Sequence, residues 1–211
     1  MRFVTFNVQH GRRPDGVVDV TALTAACMRL EADVLALQEV DVGMRRSGRV
    51  DQVAAVAEAT GMRCVFGPAS PQYGNALLVR GDIDDVDVIP LPHAENREPR
   101  SAIVARASVD GGSVSVACCH LGVHGDAVPQ LPAVLHALVQ RPAPRALLGD
   151  LNLERVDVTP LVAVKGEATF PAHRPRRRID HIALDRLTPS RVEVLHRQPV
   201  SDHRPLLVEA V

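Results

Sequence analysis

Apolar residues in this chain fall into short runs with two different periodicities. Runs bounded by Gly, Pro or charged positions, with little polar interruption, predict strands buried on both faces. Residues 3–8, 34–37, 63–66, 76–79, 86–91, 101–109, 114–119, 145–148, 179–184, 192–195 and 205–211 have this character. Helical spacing appears over 20–30, through Leu23, Ala26, Cys27 and Leu30, and over 52–60, where Gly61 suits a helix C-terminus. A third helix is predicted over 130–139, entered through Pro129 and Pro132, which suit a first turn. Asp110-Gly111-Gly112 between two strands is a hairpin signal. Residues 11–16 and 41–49 are polar loops, and 153–178 has so little periodicity that it reads as a long loop with a short helical turn.

Helices lie between strands in both halves, and hairpins occupy the middle. That order predicts an α/β protein in which two mixed, largely antiparallel sheets pack face to face with helices outside, all within one domain over 1–211. Strand ends from the two sheets would then converge on one cleft.

With 211 residues, 46% of them hydrophobic and 23% charged, the chain is long enough to bury a sizeable core and has an ordinary soluble composition. A net charge of -1 excludes a global field that would drive it onto nucleic acid or an anionic membrane, although a local basic cleft stays open. No apolar run approaches a membrane span, and the first residues begin a strand rather than a secretory leader. The four cysteines lack metal-ligand spacing, and adjacent Cys118 and Cys119 on a strand would face opposite ways. The expected setting is a reducing cytoplasm with cysteines that fill core space.

The chemistry-bearing residues gather where the apolar runs stop. Asn7 follows the first, Gln38-Glu39 the second, and His120 the run 114–119. Asp150 and Asn152 follow Leu147-Leu148-Gly149, Asp180-His181 sits in the run 179–184, and Asp202-His203 precedes the last. Polar side chains at the ends of rigid strands are what a catalytic rim requires. Glu39 offers a hard oxygen suited to Mg²⁺, and Asn7 can add an amide oxygen from the neighbouring strand. If the chain stays extended, Asp150 and Asn152 share one face, setting a carboxylate that can orient water beside an amide that can bind a phosphoryl oxygen. Asp180 can fix the tautomer of His203 and favour its imidazolium, which would stabilise charge developing on a phosphate. Taken singly, each residue has a bland alternative: a solvated strand end for Glu39, a turn after Gly149 for Asp150 and Asn152, a structural histidine for His120 and His203.

The ordered set Phe6-Asn7-Val8, Leu37-Gln38-Glu39-Val40-Asp41, Tyr73-Gly74-Asn75, His120-Leu121, Gly149-Asp150-Leu151-Asn152, Ile179-Asp180-His181-Ile182 and Ser201-Asp202-His203-Arg204-Pro205 resembles the endonuclease/exonuclease/phosphatase superfamily over essentially the whole chain. The resemblance implies a four-layer α/β sandwich and a metal-dependent phosphoesterase using Mg²⁺ or Mn²⁺. It implies Glu39 as principal metal ligand, with Asn7 and Asp202 near the ion. Asp150 would position or activate water, Asn152 and His120 would contact the phosphate, and His203 with Asp180 would stabilise the transition state. Asn75 would support the site, and the resemblance leaves the general base open between an Asp and a His. Arg45-Arg46-Ser47-Gly48 and Thr169-Phe170-Pro171 with Arg176-Arg177-Arg178 resemble a bacterial branch. Arg176 and Arg177, with Arg45 to Arg49, would line a phosphate-binding wall.

The implied partner is a phosphate ester, with nucleic acid the leading class and an endonuclease-type phosphodiesterase the leading activity. A phosphoesterase of small molecules or lipid head groups, of the inositol phosphate or sphingomyelin type, is the competitor, since the chain has little room for insertions and only 2% aromatic residues for stacking bases. A silent binding module would not need the full polar set.

Overall fold

The computed structural model describes residues 1–211. Successive side chains on a strand point to opposite faces, so a continuous apolar run supplies two core layers at once. In β1 (Arg2–Asn7), Phe3 packs between the sheets while Val4 and Phe6 pack outward. In β2 (Val34–Asp41), Val34 and Ala36 face inward and Leu35 and Leu37 outward. The remaining strands are β3 (Arg63–Ser70), β4 (Tyr73–Val79), β5 (Asp82–Leu91), β6 (Arg100–Val109), β7 (Gly112–His120), β8 (Arg145–Asp150), β9 (Val162–Ala163), β10 (Asp180–Asp185), β11 (Pro189–Val194) and β12 (Leu206–Ala210). They form two six-stranded sheets, ordered β11-β12-β1-β2-β4-β3 and β5-β6-β7-β8-β10-β9. Only β1/β2 and β7/β8 run parallel. The sheets share one apolar interior. Helices α1 (Val20–Arg29) and α2 (Gln52–Thr60) cover the first sheet and α3 (Ala127–Val139) the second, giving the expected four layers.

Local chemistry sets the element ends. Asp19 and Asp51 cap α1 and α2 by accepting from the amides of Ala22 and Ala54, at 2.8 and 2.9 Å. Gly61 closes α2 in the left-handed conformation. Asp110 and Gly111, both at positive φ, make the two-residue turn between β6 and β7. Cys118 lies in the inter-sheet layer and Cys119 under α3, on opposite faces as expected.

Three expectations need correction. Helix α3 begins at Ala127 rather than 130, so Pro129 is within the first turn and Pro132 lies inside the helix, where its missing amide leaves one carbonyl without the helical partner. Strand β5 begins at Asp82, not 86, because its exposed acidic half is held by backbone pairing to β6 rather than by burial. The segment 153–178 contains no helical turn; it adds the two-residue edge strand β9 and a bridge between Phe170 and Arg177. No helix is long and apolar enough to cross a membrane.

Candidate active site

The parallel pairs β1/β2 and β7/β8 end at the same edge of the sandwich. There Asn7 closes β1, His120 closes β7 and Asp150 closes β8. Asp180 opens β10 directly opposite Asp150 in register. The strand that carries Asp150 approaches β7 so closely that a Cβ on Gly149 would stand 2.2 Å from the Cys119 carbonyl oxygen, so only glycine fits before this aspartate. Glu39 is delivered by a break in the ladder: pairing of β2 with β4 shifts between Leu37 and Val40, and Glu39 takes a positive φ of 59°. The bulge turns its carboxylate toward Asn7.

Asn7 is the hub. Its Nδ2 donates to Glu39 Oε1 at 3.0 Å and to Asp150 Oδ2 at 3.1 Å, drawing carboxylates from the two sheets around one amide. Its Oδ1 accepts from the Gln9 amide at 3.0 Å, so Asn7 presents its NH₂ rather than its oxygen to the pair. Asp150 and Asn152 do not share a face of an extended strand. The strand stops at Asp150, Asn152 is left-handed with φ 52°, and its amide donates to Asp150 Oδ1 at 3.0 Å. That turn still brings Asn152 into the site, with Nδ2 at 2.9 Å from the Leu121 oxygen and 3.1 Å from His120 Nε2.

The two histidines have opposite characters. His203 Nδ1 lies 2.9 Å from Asp180 Oδ2, which also accepts from the Thr169 hydroxyl, and its Nε2 points to Asp150 Oδ2 at 3.7 Å. Burial pulls its pKa down, but the charge and hydrogen bond of Asp180, with Asp150 and Asp202, outweigh that and raise it to about 10. His203 is therefore an imidazolium at neutral pH, packed against the Phe170 ring with centroids 4.8 Å apart. His120 is held well below the usual histidine value, first by burial and then by the Arg100 and His203 charges. Arg100 Nη1 contacts its Nδ1 at 3.1 Å. An arginine can only donate, so Nδ1 accepts and the neutral ring carries its proton on Nε2, which faces Asp150 Oδ2 at 3.4 Å; the Asn152 NH₂ beside Nε2 then bonds to the Leu121 oxygen and makes no hydrogen bond to the ring.

Negative charge at this edge is not balanced by the protein. Burial raises the Glu39 pKa, and burial followed by the charge of Asp180 raises Asp150 to about 7. Asp180 Oδ1 is buried with no partner. Buried carboxylates of this kind ask for a cation, and the donor set suits a hard divalent ion. Ligand atoms of Asp150, Asp180 and His203 also lie within 4.8 Å of one another. With Nδ1 committed to Asp180 and the ring cationic, however, His203 would repel an ion rather than bind it.

The other predicted residues sit further out. The Asp202 side chain is 44% exposed, with Oδ1 4.0 Å from His203 Nε2, at the margin of the cluster. Asn75 is buried and donates to the Ser101 oxygen at 2.9 Å, tying β4 to β6 across the two sheets without touching the carboxylates. Arg176 and Arg177 are exposed on the Phe170 to Arg177 hairpin, and Arg177 pairs with Glu154 at 3.0 Å. Arg178 turns away, donating to the Val164 oxygen.

Reasoning from sequence missed two residues at the centre of the polar network. Arg100 is 8% exposed and joins Glu98 to His120. Tyr73 has a hydroxyl held far above the usual phenol value by burial and then by Glu39 and Glu98. The guanidinium of Arg46, fixed by two bonds to the buried Asp41, lies 5.4 Å over its ring. The available signal was register: Arg100 opens the strand that pairs with the one ending at His120.

The sequence model described as the Endonuclease/Exonuclease/phosphatase family matches residues 4–203. The chain belongs to this family. Its members are metal-dependent phosphoesterases, hydrolases of phosphate esters, and the chain is an enzyme of that class. Solved structures agree in fold. A humanized zebrafish (D. rerio) TDP2 carrying 14 mutations superposes with a TM-score of 0.78 at 17% identity, covering 100% of this chain and 98% of that one. An endonuclease/exonuclease/phosphatase family protein from Bacteroides thetaiotaomicron gives 0.78 at 17% identity, with 100% and 97% covered. D. rerio TDP2 complexed with a single-strand DNA product gives 0.76 at 17%, with 99% and 97% covered. No curated protein matches the sequence.

Proposed function

We propose that this phosphoesterase is a Mg²⁺-dependent phosphodiesterase of the endonuclease type. The observation that carries the reading is the opposition of two carboxylates around the Asn7 amide, half-buried Glu39 and buried Asp150, to an imidazolium, His203, held charged by Asp180. Glu39 would hold the ion, with Asp202 near it, while Asn7, its oxygen engaged by the Gln9 amide, would steady the Glu39 carboxylate rather than ligate; when bound, the ion would neutralise a phosphate oxygen and make phosphorus more electrophilic. Asp150, with a proton affinity near neutrality, accepts a proton from water aligned on phosphorus. His203 Nε2 and the His120 Nε2 proton face Asp150 from two directions, where they can donate to non-bridging oxygens as charge builds, and Asn152 supplies an amide beside them. The fold-level likeness to a TDP2 structure holding a single-strand DNA product supports a nucleic-acid ester as substrate. The small cavities beside the cluster, of about 230 and 240 Å³, favour a second reading, a phosphoesterase of small molecules.

The test is purified protein assayed on plasmid DNA, RNA, bis-p-nitrophenyl phosphate, p-nitrophenyl phosphate, inositol phosphates and sphingomyelin, with Mg²⁺, Mn²⁺ or chelator. Metal-dependent cleavage of the diesters supports the proposal. Turnover of inositol phosphates or sphingomyelin alone would replace it with the second reading, and diester hydrolysis that persists in chelator would end it.

A further inference from the structure

Asp202 also lines a cavity of about 230 Å³, whose wall includes Gln9, Arg12, His173, Arg197 and Ser201. Its positive charge is only partly compensated. Arg13, also at the wall, is committed to Asp15 at 3.0 Å and Asp19 at 3.3 Å, whereas Arg12 and Arg197 make no ion pair. The carboxylate in the wall belongs to Asp202, which is 44% exposed and pairs with neither arginine, its Oδ1 lying 4.0 Å from His203 Nε2.

Short hydrogen bonds fix this cavity to the site. Gln9 donates its amide to Asn7 Oδ1 at 3.0 Å, the Ser201 hydroxyl donates to the Asn7 carbonyl at 2.6 Å, and the Ser201 amide donates to the Arg12 carbonyl at 2.8 Å. The backbone that shapes the wall is strained: Gln9, His10 and Ser201 hold φ values of 45°, 46° and 76°, a region disfavoured for residues with a side chain. The same junction thus sets the position of Asn7 and of Arg12, one of the two unpaired arginines. A volume of about 230 Å³, room for roughly seven waters at about 30 Å³ each, admits a phosphate with its attached carbon and still leaves space for bridging waters.

We propose that this cavity is a second phosphate subsite, and that the preferred substrate carries one further phosphate group next to the scissile one. Arg12 and Arg197 would grip it through charge-assisted hydrogen bonds, with His173 at the rim. The inference rests on the phosphodiester reading of the adjoining site. The phosphate could belong to the next link of a nucleic-acid backbone or be a terminal monoester on a small molecule; the chemistry recognised is the same.

Binding measured on chelator-treated protein keeps the test independent of turnover. By calorimetry, thymidine 3′,5′-bisphosphate should bind about tenfold more tightly than thymidine 5′-monophosphate. The preference should vanish in an Arg12→Gln/Arg197→Gln variant, whose fold is checked by circular dichroism. Hydrolysis of the p-nitrophenyl ester of thymidine 5′-phosphate, with and without a 3′-phosphate, should give a matching ratio of kcat/KM that falls to one in the variant. Equal affinities in the wild type, or a preference that survives both substitutions, would overturn the subsite. If no ester is hydrolysed under any metal, the phosphodiesterase reading fails while the binding comparison still judges the cavity. A dinucleotide whose second phosphate is an internucleotide diester separates the sources: affinity like the bisphosphate assigns the subsite to a backbone, and affinity like the monophosphate assigns it to a terminal phosphate.

Discussion

Asp180→Asn keeps the shape of the residue that faces His203 and removes its charge. In the wild type His203 holds its proton to about pH 10, so at pH 7.5 the charged ring outnumbers the neutral one by roughly 300 to 1. In the variant burial still disfavours the charge while its main support is gone, and the pKa should fall to the ordinary 6.5 or lower. The imidazolium would then be at most about one molecule in ten at pH 7.5. Population alone costs at least about tenfold in rate, and loss of orientation adds to it, so a drop of about 10² to 10³ is expected, comparable with removing a preorganised donor. His203→Ala should lose a similar factor. Because Asp180 acts chiefly through His203, with a smaller effect on the charge of Asp150, the double variant should lie within about tenfold of the worse single one, where independent action would multiply the losses to about 10⁴ or more. The assay is kcat on bis-p-nitrophenyl phosphate at saturating Mg²⁺, with the ring followed by ¹⁵N NMR across pH. Multiplicative losses, or a His203 that still titrates near pH 10 in Asp180→Asn, would refute the reasoning.

Three further outcomes follow from the geometry. Glu39→Gln should weaken Mg²⁺ binding and activity together, measured by calorimetry and turnover, and unchanged values for both would remove Glu39 from the metal site. Relative to an Asp150→Asn protein, metal-free wild type should lose thermal stability as pH rises from about 4 to about 7: the Asp150 pKa is raised above its unfolded value of 3.8, so the protonated form is the stabilising one, and its contribution disappears as the carboxylate ionises. Saturating Mg²⁺ should flatten that relative decline, and a metal-free wild type that instead gains on the variant across this range would contradict the raised Asp150 pKa. If Arg176 and Arg177 lie on a nucleic-acid track, an Asp150→Asn protein should bind a short duplex with a steep salt dependence, about -0.9 in log-log slope per neutralised phosphate, made shallower by alanine at both arginines; a flat slope would favour a small substrate.

Much of this architecture is visible in the amino-acid order because buried strands cannot hide. Val34 to Leu37 and Ala146 to Leu148 are apolar on both faces, which only a sheet covered on both sides permits. The edge strands are less legible: the acidic half of β5 and the two-residue β9 are held by backbone pairing, which leaves no side-chain pattern. In the site, the residues foreseen were those at the ends of apolar runs. Arg100 was missed because its role depends on the register that sets its strand beside His120, which no side-chain pattern records. The bulge that turns Glu39 inward puts a residue that ordinarily avoids positive φ into that region, so composition gives no warning of it, and the left-handed turn at Asn152, although asparagine suits it, is one of several conformations open to that residue.

The sandwich has a seam, and the reacting groups straddle it. Asn7 and Glu39 belong to one sheet, Asp150 and Asp180 to the other, and the contact of Asn7 with Asp150, like that of Asn75 with Ser101, stitches the two together. No single secondary-structure unit owns the chemistry. The distance between metal-side and water-side groups is a dimension of the whole molecule, set by how thickly side chains such as Phe3, Leu77, Ile103 and Leu148 fill the space between the sheets. Loss or gain of a methylene there works like a shim under one jaw of a vice, moving the jaws relative to each other while leaving each intact.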